Sequence, residues 1–176
     1  MSELASAGIE ICSEASGCDI VVINSCTVTA TSDGKVRQAV RRARRESPGA
    51  VIVLTGCMPQ AFPKESEGLR EANVILGNSN HAALVPDIRR FLETRKRVVD
   101  IKPHSGHFEP LEVGQYYEHT RAFLKIEDGC NRFCAYCIIP YARGTVRSKP
   151  LESLKKELAE IARNGYREVV LTGINL

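Results

Sequence analysis

At 176 residues, with 43% hydrophobic and 26% charged, the chain can build one good core and part of a second, and it needs no collagen-like, disordered or membrane reading. A net charge of +3 is too small to single out an anionic partner. No apolar run approaches the ~20 residues of a spanning helix, and Met1–Gly8 lacks the basic-then-apolar layout of a secretory signal. The expectation is a cytoplasmic protein without a membrane partner. Thiols stay reduced there, so seven cysteines, an odd number, suggest metal ligands or catalytic thiols rather than disulfides.

In chain order, Asp19–Asn24 (DIVVIN) is a short β-branched run that reads as a buried strand, ending at Ser25-Cys26-Thr27. From Asp33 to Glu46, Val36, Ala39, Val40 and Ala43 recur at helical spacing with arginines between them, and Ser47-Pro48-Gly49 stops the helix. Ala50–Thr55 (AVIVLT) is a second strand with Gly56-Cys57 at its end, and Asn73–Leu76 a third. Asn80 is placed to cap a helix whose Leu84, Ile88, Phe91 and Leu92 face a core. Strand and helix alternate, which implies an α/β fold with a parallel sheet covered by helices. Cys26 and Cys57 then sit at the carboxyl ends of successive strands, where open α/β sheets place their ligand sites.

Pro103–His119 holds three of the four histidines and little periodicity, so it reads as a linker with its histidines exposed. A strand at Ala122–Glu127 (AFLKIE) follows, then the segment CNRFCAYC. Pro150 opens a helix carrying Leu151, Leu154, Leu158 and Ile161 on one side, with Gly165 as its cap, and Glu168–Thr172 is a further strand. The expected layout is an N-terminal domain over 1–102, a linker over 103–120, and the first β/α units of another domain over 121–176.

Cys130, Cys134 and Cys137 form a CxxxCxxC loop between a strand and a helix. Iron–sulfur cubes are normally held by four cysteines. Three thiolates leave one iron open to an outside ligand, as a catalytic zinc keeps an open position. Zinc itself, or unrelated buried cysteines, are the alternatives. Zinc would want a fourth Cys or His nearby, and the nearest histidine, His119, lies before the strand.

This motif, with aromatic Tyr136 before its last cysteine, resembles the radical S-adenosylmethionine (SAM) superfamily. The resemblance implies a 4Fe–4S cluster on Cys130, Cys134 and Cys137 whose open iron is chelated by SAM. It also implies reductive cleavage of SAM to a 5′-deoxyadenosyl radical, with the backbone at Tyr136 against the adenine. Tyr136 can equally be a packing aromatic. NSCTVT around Cys26, LTGCMPQ around Cys57 and GCNRFCAYCIIPYARGTVRS resemble, across nearly the whole chain, the radical methylthiotransferases. Those enzymes join an N-terminal domain bearing an auxiliary 4Fe–4S cluster to a radical barrel and a small RNA-binding domain. Cys26 and Cys57 match two of the three auxiliary ligands. Taken alone, the pair reads more readily as core cysteines.

The family's third auxiliary ligand, in a Leu-Gly-Cys-Lys-like segment, has no counterpart here, so the resemblance implies an incomplete auxiliary cluster. Cys12 and Cys18 fall between elements and read as structural. An eight-unit barrel needs ~200 residues, and 121–176 supplies 56. The expectation is a piece of a longer enzyme, inactive by itself. Among the subfamilies, CTVT, GCMPQ and CIIPYARGTVRS most resemble the one acting on N6-threonylcarbamoyladenosine beside the tRNA anticodon. Isopentenyladenosine tRNA, a ribosomal-protein aspartate, and a non-catalytic iron–sulfur or RNA-binding module are the alternatives. The implied partners are tRNA, an electron donor and a sulfur donor. Arg37, Arg41, Arg42, Arg44 and Arg45 crowd one helix, an ordinary solvated face or an RNA contact for which Arg41 and Arg45 are the candidates. Arg143 and Arg147 belong to the family's RGxxRS segment, and Arg143 is the candidate for orienting the cofactor.

Overall fold

The β-branched runs become the strands of a four-stranded parallel sheet. The structure, a computed structural model, describes residues 4, 7–12, 17–108 and 120–176. Its first part is β1 (Ile20–Ser25), α1 (Ala30–Glu46), β2 (Val51–Gly56), the short α2 (Cys57–Ala61) and α3 (Pro63–Glu67), and β3 (Val74–Leu76). A single 3₁₀ turn at His81–Ala83, α4 (Leu84–Thr94) and β4 (Val98–Asp100) complete it. The sheet order is β1-β2-β3-β4, every pair parallel. Because β2 is central, all six of its residues are buried. Ile52 and Leu54 pack with Val36, Val40 and Ala43 of α1, while Val51 and Val53 pack with Ile88 of α4. The period-2 alternation of a strand thus fills two core layers, one on each face.

Four details depart from expectation. The first helix starts at Ala30 rather than Asp33, because the Thr29 hydroxyl caps it by accepting from Ser32 N–H at 3.2 Å. Asn80 is not a side-chain cap: its Nδ2 donates to the backbone and carboxylate oxygens of Asp100. On α4, Ile88 is buried but Leu92 is 41% exposed, since one turn of the stripe overhangs the three-residue strands beneath it. The fourth strand was not expected at all. It is a three-residue segment with only Val98 buried, too short to show a period.

Past residue 120 come β5 (Ala122–Lys125), β6 (Glu127–Asp128), α5 (Ile139–Arg143), β7 (Arg147–Ser148), α6 (Leu151–Arg163) and β8 (Val169–Thr172). β5 and β8 pair in parallel around α6, and β6 and β7 form an antiparallel pair. The expected strand Ala122–Glu127 is divided at Ile126, whose N–H donates to Thr172 and whose carbonyl accepts from Lys149. Ile161 is buried and Leu154 half-buried, but Leu151 and Leu158 are exposed. Glu157 takes a buried place on that helix through its ion pair with Lys149. Gly165, at φ 83°, follows the helix end as expected, its N–H donating to the Ala162 carbonyl.

Candidate iron–sulfur site

Pairing of Ser25 with Gly56 at the ends of β1 and β2 sends Cys26 and Cys57 off adjacent strand ends. The Ser25 hydroxyl donates to the Thr55 carbonyl at 2.6 Å and accepts from Met58 N–H at 3.1 Å, which ties the two strand ends together. Gly56 has φ 98°, and a Cβ there would lie 2.5 Å from the Ser25 carbonyl oxygen. Only glycine allows that approach. Cys57 is buried and Cys26 exposed. Burial pushes the Cys57 thiol up, against the pull of the nearby Arg143 charge, and Cys26 adds to the rise. Cys18 packs against the N-terminal core, with its thiol in hydrogen-bond reach of Cys12.

The second loop begins at Gly129, φ 84°, where a Cβ would overlap the Thr145 carbonyl. Cys130 N–H donates to Gly144 O at 3.0 Å, Val146 N–H to Asn131 Oδ1 at 3.0 Å, and Cys137 N–H to Cys134 O at 2.9 Å. The loop is therefore held at its base and closed by a turn between its last two cysteines. Cys130 and Cys137 are half-buried and Cys134 is exposed. Tyr136 is 93% exposed, so it is not a packing aromatic among the described residues. Phe133 and Tyr141 meet edge to face with centroids 5.9 Å apart.

Asp128, buried just before this loop, gathers the charge. Its carboxylate takes Lys125 Nζ at 2.6 Å, Arg143 Nη1 at 3.4 Å and Arg147 Nη2 at 3.7 Å, and accepts Gly129 N–H at 2.9 Å. Burial alone would raise its pKa, but Lys125, Arg143 and the Gly129 N–H outweigh that and hold the carboxyl below its usual range. Glu127 Oε2 accepts the N–H groups of Ile174 and Asn175 at 2.7 and 2.9 Å. It thereby fixes the loop after β8 at the same carboxyl edge as the cysteine loop. Sequence reading passed over that loop. Its signal was Gly173 at a strand end, where a Cβ would stand 2.8 Å from Glu127 Oε2.

His104 also departs from expectation. It is half-buried rather than exposed, packed on Gly144, and burial followed by the Arg147 charge pushes its pKa down. His107 is exposed, and His119 lies outside the described residues. The five arginines of α1 do different things. Arg44 donates to the carbonyls of Pro48, Ala50 and Glu71 and to Asn73 Oδ1, a structural role. Arg42 pairs with Glu46 at 2.7 Å, and Arg41 stands 3.7 Å from Glu71. Arg37 and Arg45 are exposed.

All seven cysteines are free thiols, and among the described residues no group of three or more His, Cys, Asp or Glu converges on a single metal ion. The donor set of the 130–137 loop is thiol alone. That suits a cube, in which each thiolate meets its own iron, better than a zinc that draws four ligands to one point.

Residues 124–175, which hold the cysteine loop and its β/α unit, match the Radical SAM superfamily. Residues 1–77 match the family described as Uncharacterized protein family UPF0004. The chain is 39% identical over 171 residues to the threonylcarbamoyladenosine tRNA methylthiotransferase of Aquifex aeolicus, covering 96% of this chain and 42% of that protein. It is 40% identical over 159 residues to the protein of that name from Bacillus subtilis, 89% of this chain and 35% of that one. With the tRNA-2-methylthio-N(6)-dimethylallyladenosine synthase of Pelotomaculum thermopropionicum it shares 35% identity over 170 residues, 90% of this chain and 37% of that protein. The likeness to these methylthiotransferases runs over about nine-tenths or more of this chain, which itself spans about two-fifths or less of the length of these relatives.

Proposed function

We propose that the protein acts, as part of a longer polypeptide, in adding a methylthio group to carbon 2 of N6-threonylcarbamoyladenosine next to the tRNA anticodon. The observation that carries this reading is the meeting of two cysteine-bearing strand ends, one from each half of the chain: α5, just after the Cys130–Cys137 loop, packs on α2, which begins at Cys57, and Asn78 Nδ2 donates to the Ala142 carbonyl at 3.3 Å. In this reading Cys130, Cys134 and Cys137 hold a 4Fe–4S cluster, and Cys26 and Cys57 supply two of the thiolates of an auxiliary cluster that is incomplete here. With SAM bound, the first cluster supplies the one-electron cleavage and the radical that removes hydrogen from a carbon no side-chain base can deprotonate. Tyr136, wholly exposed at the loop tip, offers its backbone to the adenine of SAM, and Arg143 helps to orient the cofactor. Arg41 and Arg45 lie on a solvent-facing helix side where tRNA phosphates would arrive. The reaction further calls for an electron donor and a sulfur donor, and the working compartment is the cytoplasm. The higher identity to relatives named for threonylcarbamoyladenosine, together with CTVT, GCMPQ and CIIPYARGTVRS, favours that substrate over isopentenyladenosine.

The test is anaerobic reconstitution with iron and sulfide, before and after changing Cys130, Cys134 and Cys137 together to alanine. The reading predicts loss of most bound iron and of the SAM-dependent spectral change. Retention of both would reject it.

A further inference from the structure

The segment that carries the three cysteines also holds two large aromatic rings out in solvent. Phe133 is 54% exposed and Tyr141 60% exposed, and their rings meet edge to face with centroids 5.9 Å apart. That arrangement covers at most one face of one ring, so flat apolar surface stays open. Phe133 immediately precedes Cys134, and its backbone has φ 44°, a left-handed conformation that bulky side chains rarely adopt. Such strain persists only where the surrounding structure over-determines it. Here Cys130 N–H donates to the Gly144 carbonyl at 3.0 Å, Val146 N–H to Asn131 Oδ1 at 3.0 Å, and Tyr141 N–H to the Ile138 carbonyl at 3.1 Å. Phe133 and Tyr141 therefore stand on one tied framework and lose little freedom when a ligand lands on them.

The surroundings are positive. Arg132 is exposed next to Phe133 in sequence, and from Gly129 to Leu151 the chain carries Arg132, Arg143, Arg147 and Lys149 without a carboxylate. At the base of the loop Lys125, Arg143 and Arg147 share the single carboxylate of Asp128. Open aromatic faces among uncompensated cations are how proteins hold unpaired nucleotides, the rings stacking on bases and the cations meeting phosphates. An apolar protein segment would draw nothing from that charge. We infer that Phe133 and Tyr141 form a stacking platform, beside the cysteine loop, for an unpaired base of the RNA substrate. Stacking occupies the face of a base and leaves its edge free, as chemistry at a ring carbon requires. The inference deepens the proposed function and rests on it for the identity of the RNA, whereas the stacking itself needs no metal.

Fluorescence anisotropy of a labelled single-stranded oligoadenylate, titrated with the metal-free chain, tests the platform. Phe133→Leu and Tyr141→Leu keep apolar bulk but remove a ring, and each should weaken binding about fivefold or more. The slope of affinity against salt should stay the same, because no phosphate contact is lost. Phe133→Tyr and Tyr141→Phe should bind as the unaltered chain does. A measurement on the unaltered chain needs no variant to fold: the oligoadenylate, but not an abasic sugar-phosphate strand, should shield Tyr141 from nitration by tetranitromethane, read by mass spectrometry. Absence of binding, equal binding by the leucine variants, weaker binding by the ring-retaining variants, or an unshielded Tyr141 overturns the platform. So does a dimer in sedimentation velocity that the leucine variants abolish, since the rings would then serve a second copy of the chain. Failure of the functional reading looks different: reconstitution gives no cluster or SAM-dependent spectral change, while oligoadenylate binding still depends on both rings.

Discussion

Replacing Gly56 by alanine puts a Cβ against the Ser25 carbonyl at a backbone conformation that L side chains rarely adopt. Backbone strain of this kind costs about 1–3 kcal/mol, and urea unfolding of Gly56→Ala should show a loss of that order. Gly49, where a Cβ meets nothing within 4 Å, is the control and should tolerate alanine. His104 predicts a pH effect. Its pKa is lowered in the fold, so the unfolded chain binds the proton more readily. Its contribution to stability is complete above the unfolded value of about 6.5 and is lost as pH falls through the depressed folded value. The groups facing it are Arg147, which adds to the depression, and Asp128, which opposes it. Urea midpoints should therefore drop less between about pH 7.5 and about pH 5.5 in His104→Gln than in the unaltered chain; equal drops would remove His104 from the account. The Cys130–Cys137 loop was legible because its spacing is local. His104 was not, because its burial depends on Gly144 and Arg147, some forty positions away in sequence.

The arginines of α1 separate by what each touches rather than by charge. Arg44 satisfies three carbonyls and a side-chain oxygen from the end of α1 to the start of β3, so Arg44→Ala should cost about 2 kcal/mol. Arg45, exposed one residue on, should leave stability within about 0.5 kcal/mol when changed. If it meets tRNA, Arg45→Glu weakens binding and flattens the salt dependence by about one unit of slope; filter binding across a salt series checks this, and an unaltered slope would remove it from the interface. The long elements could be read from periodicity. The short ones could not: β4, β6 and β7 have two or three residues each, and their positions follow from partners elsewhere in the chain. The α6 stripe was read too generously. Leu151 and Leu158 stand in solvent, while a charged residue, Glu157, is buried because Lys149 is there to meet it.

For the whole molecule, the parallel order of the four-stranded sheet puts Cys26 and Cys57 at one edge, and the β5–α6–β8 unit places the Cys130 loop and the Gly173 loop together at another. Sequence alone placed a cysteine group at strand ends in each half, and the strand ends are where the structure has them. It did not indicate that the two halves meet, because the packing of α5 on α2 and the hydrogen bond from Asn78 to the Ala142 carbonyl, 64 positions apart, leave no periodic trace. Under the proposed function, that meeting of the two halves is where both thiol groups act on one substrate carbon. The most direct test is mass spectrometry of tRNA nucleosides from a strain lacking the gene. The account predicts loss of the 2-methylthio derivative of N6-threonylcarbamoyladenosine alone, restored by the intact gene but not by one with Cys130, Cys134 and Cys137 changed to alanine. An unchanged level of that nucleoside, with the methylthio group missing instead from isopentenyladenosine or from a ribosomal protein, would contradict it.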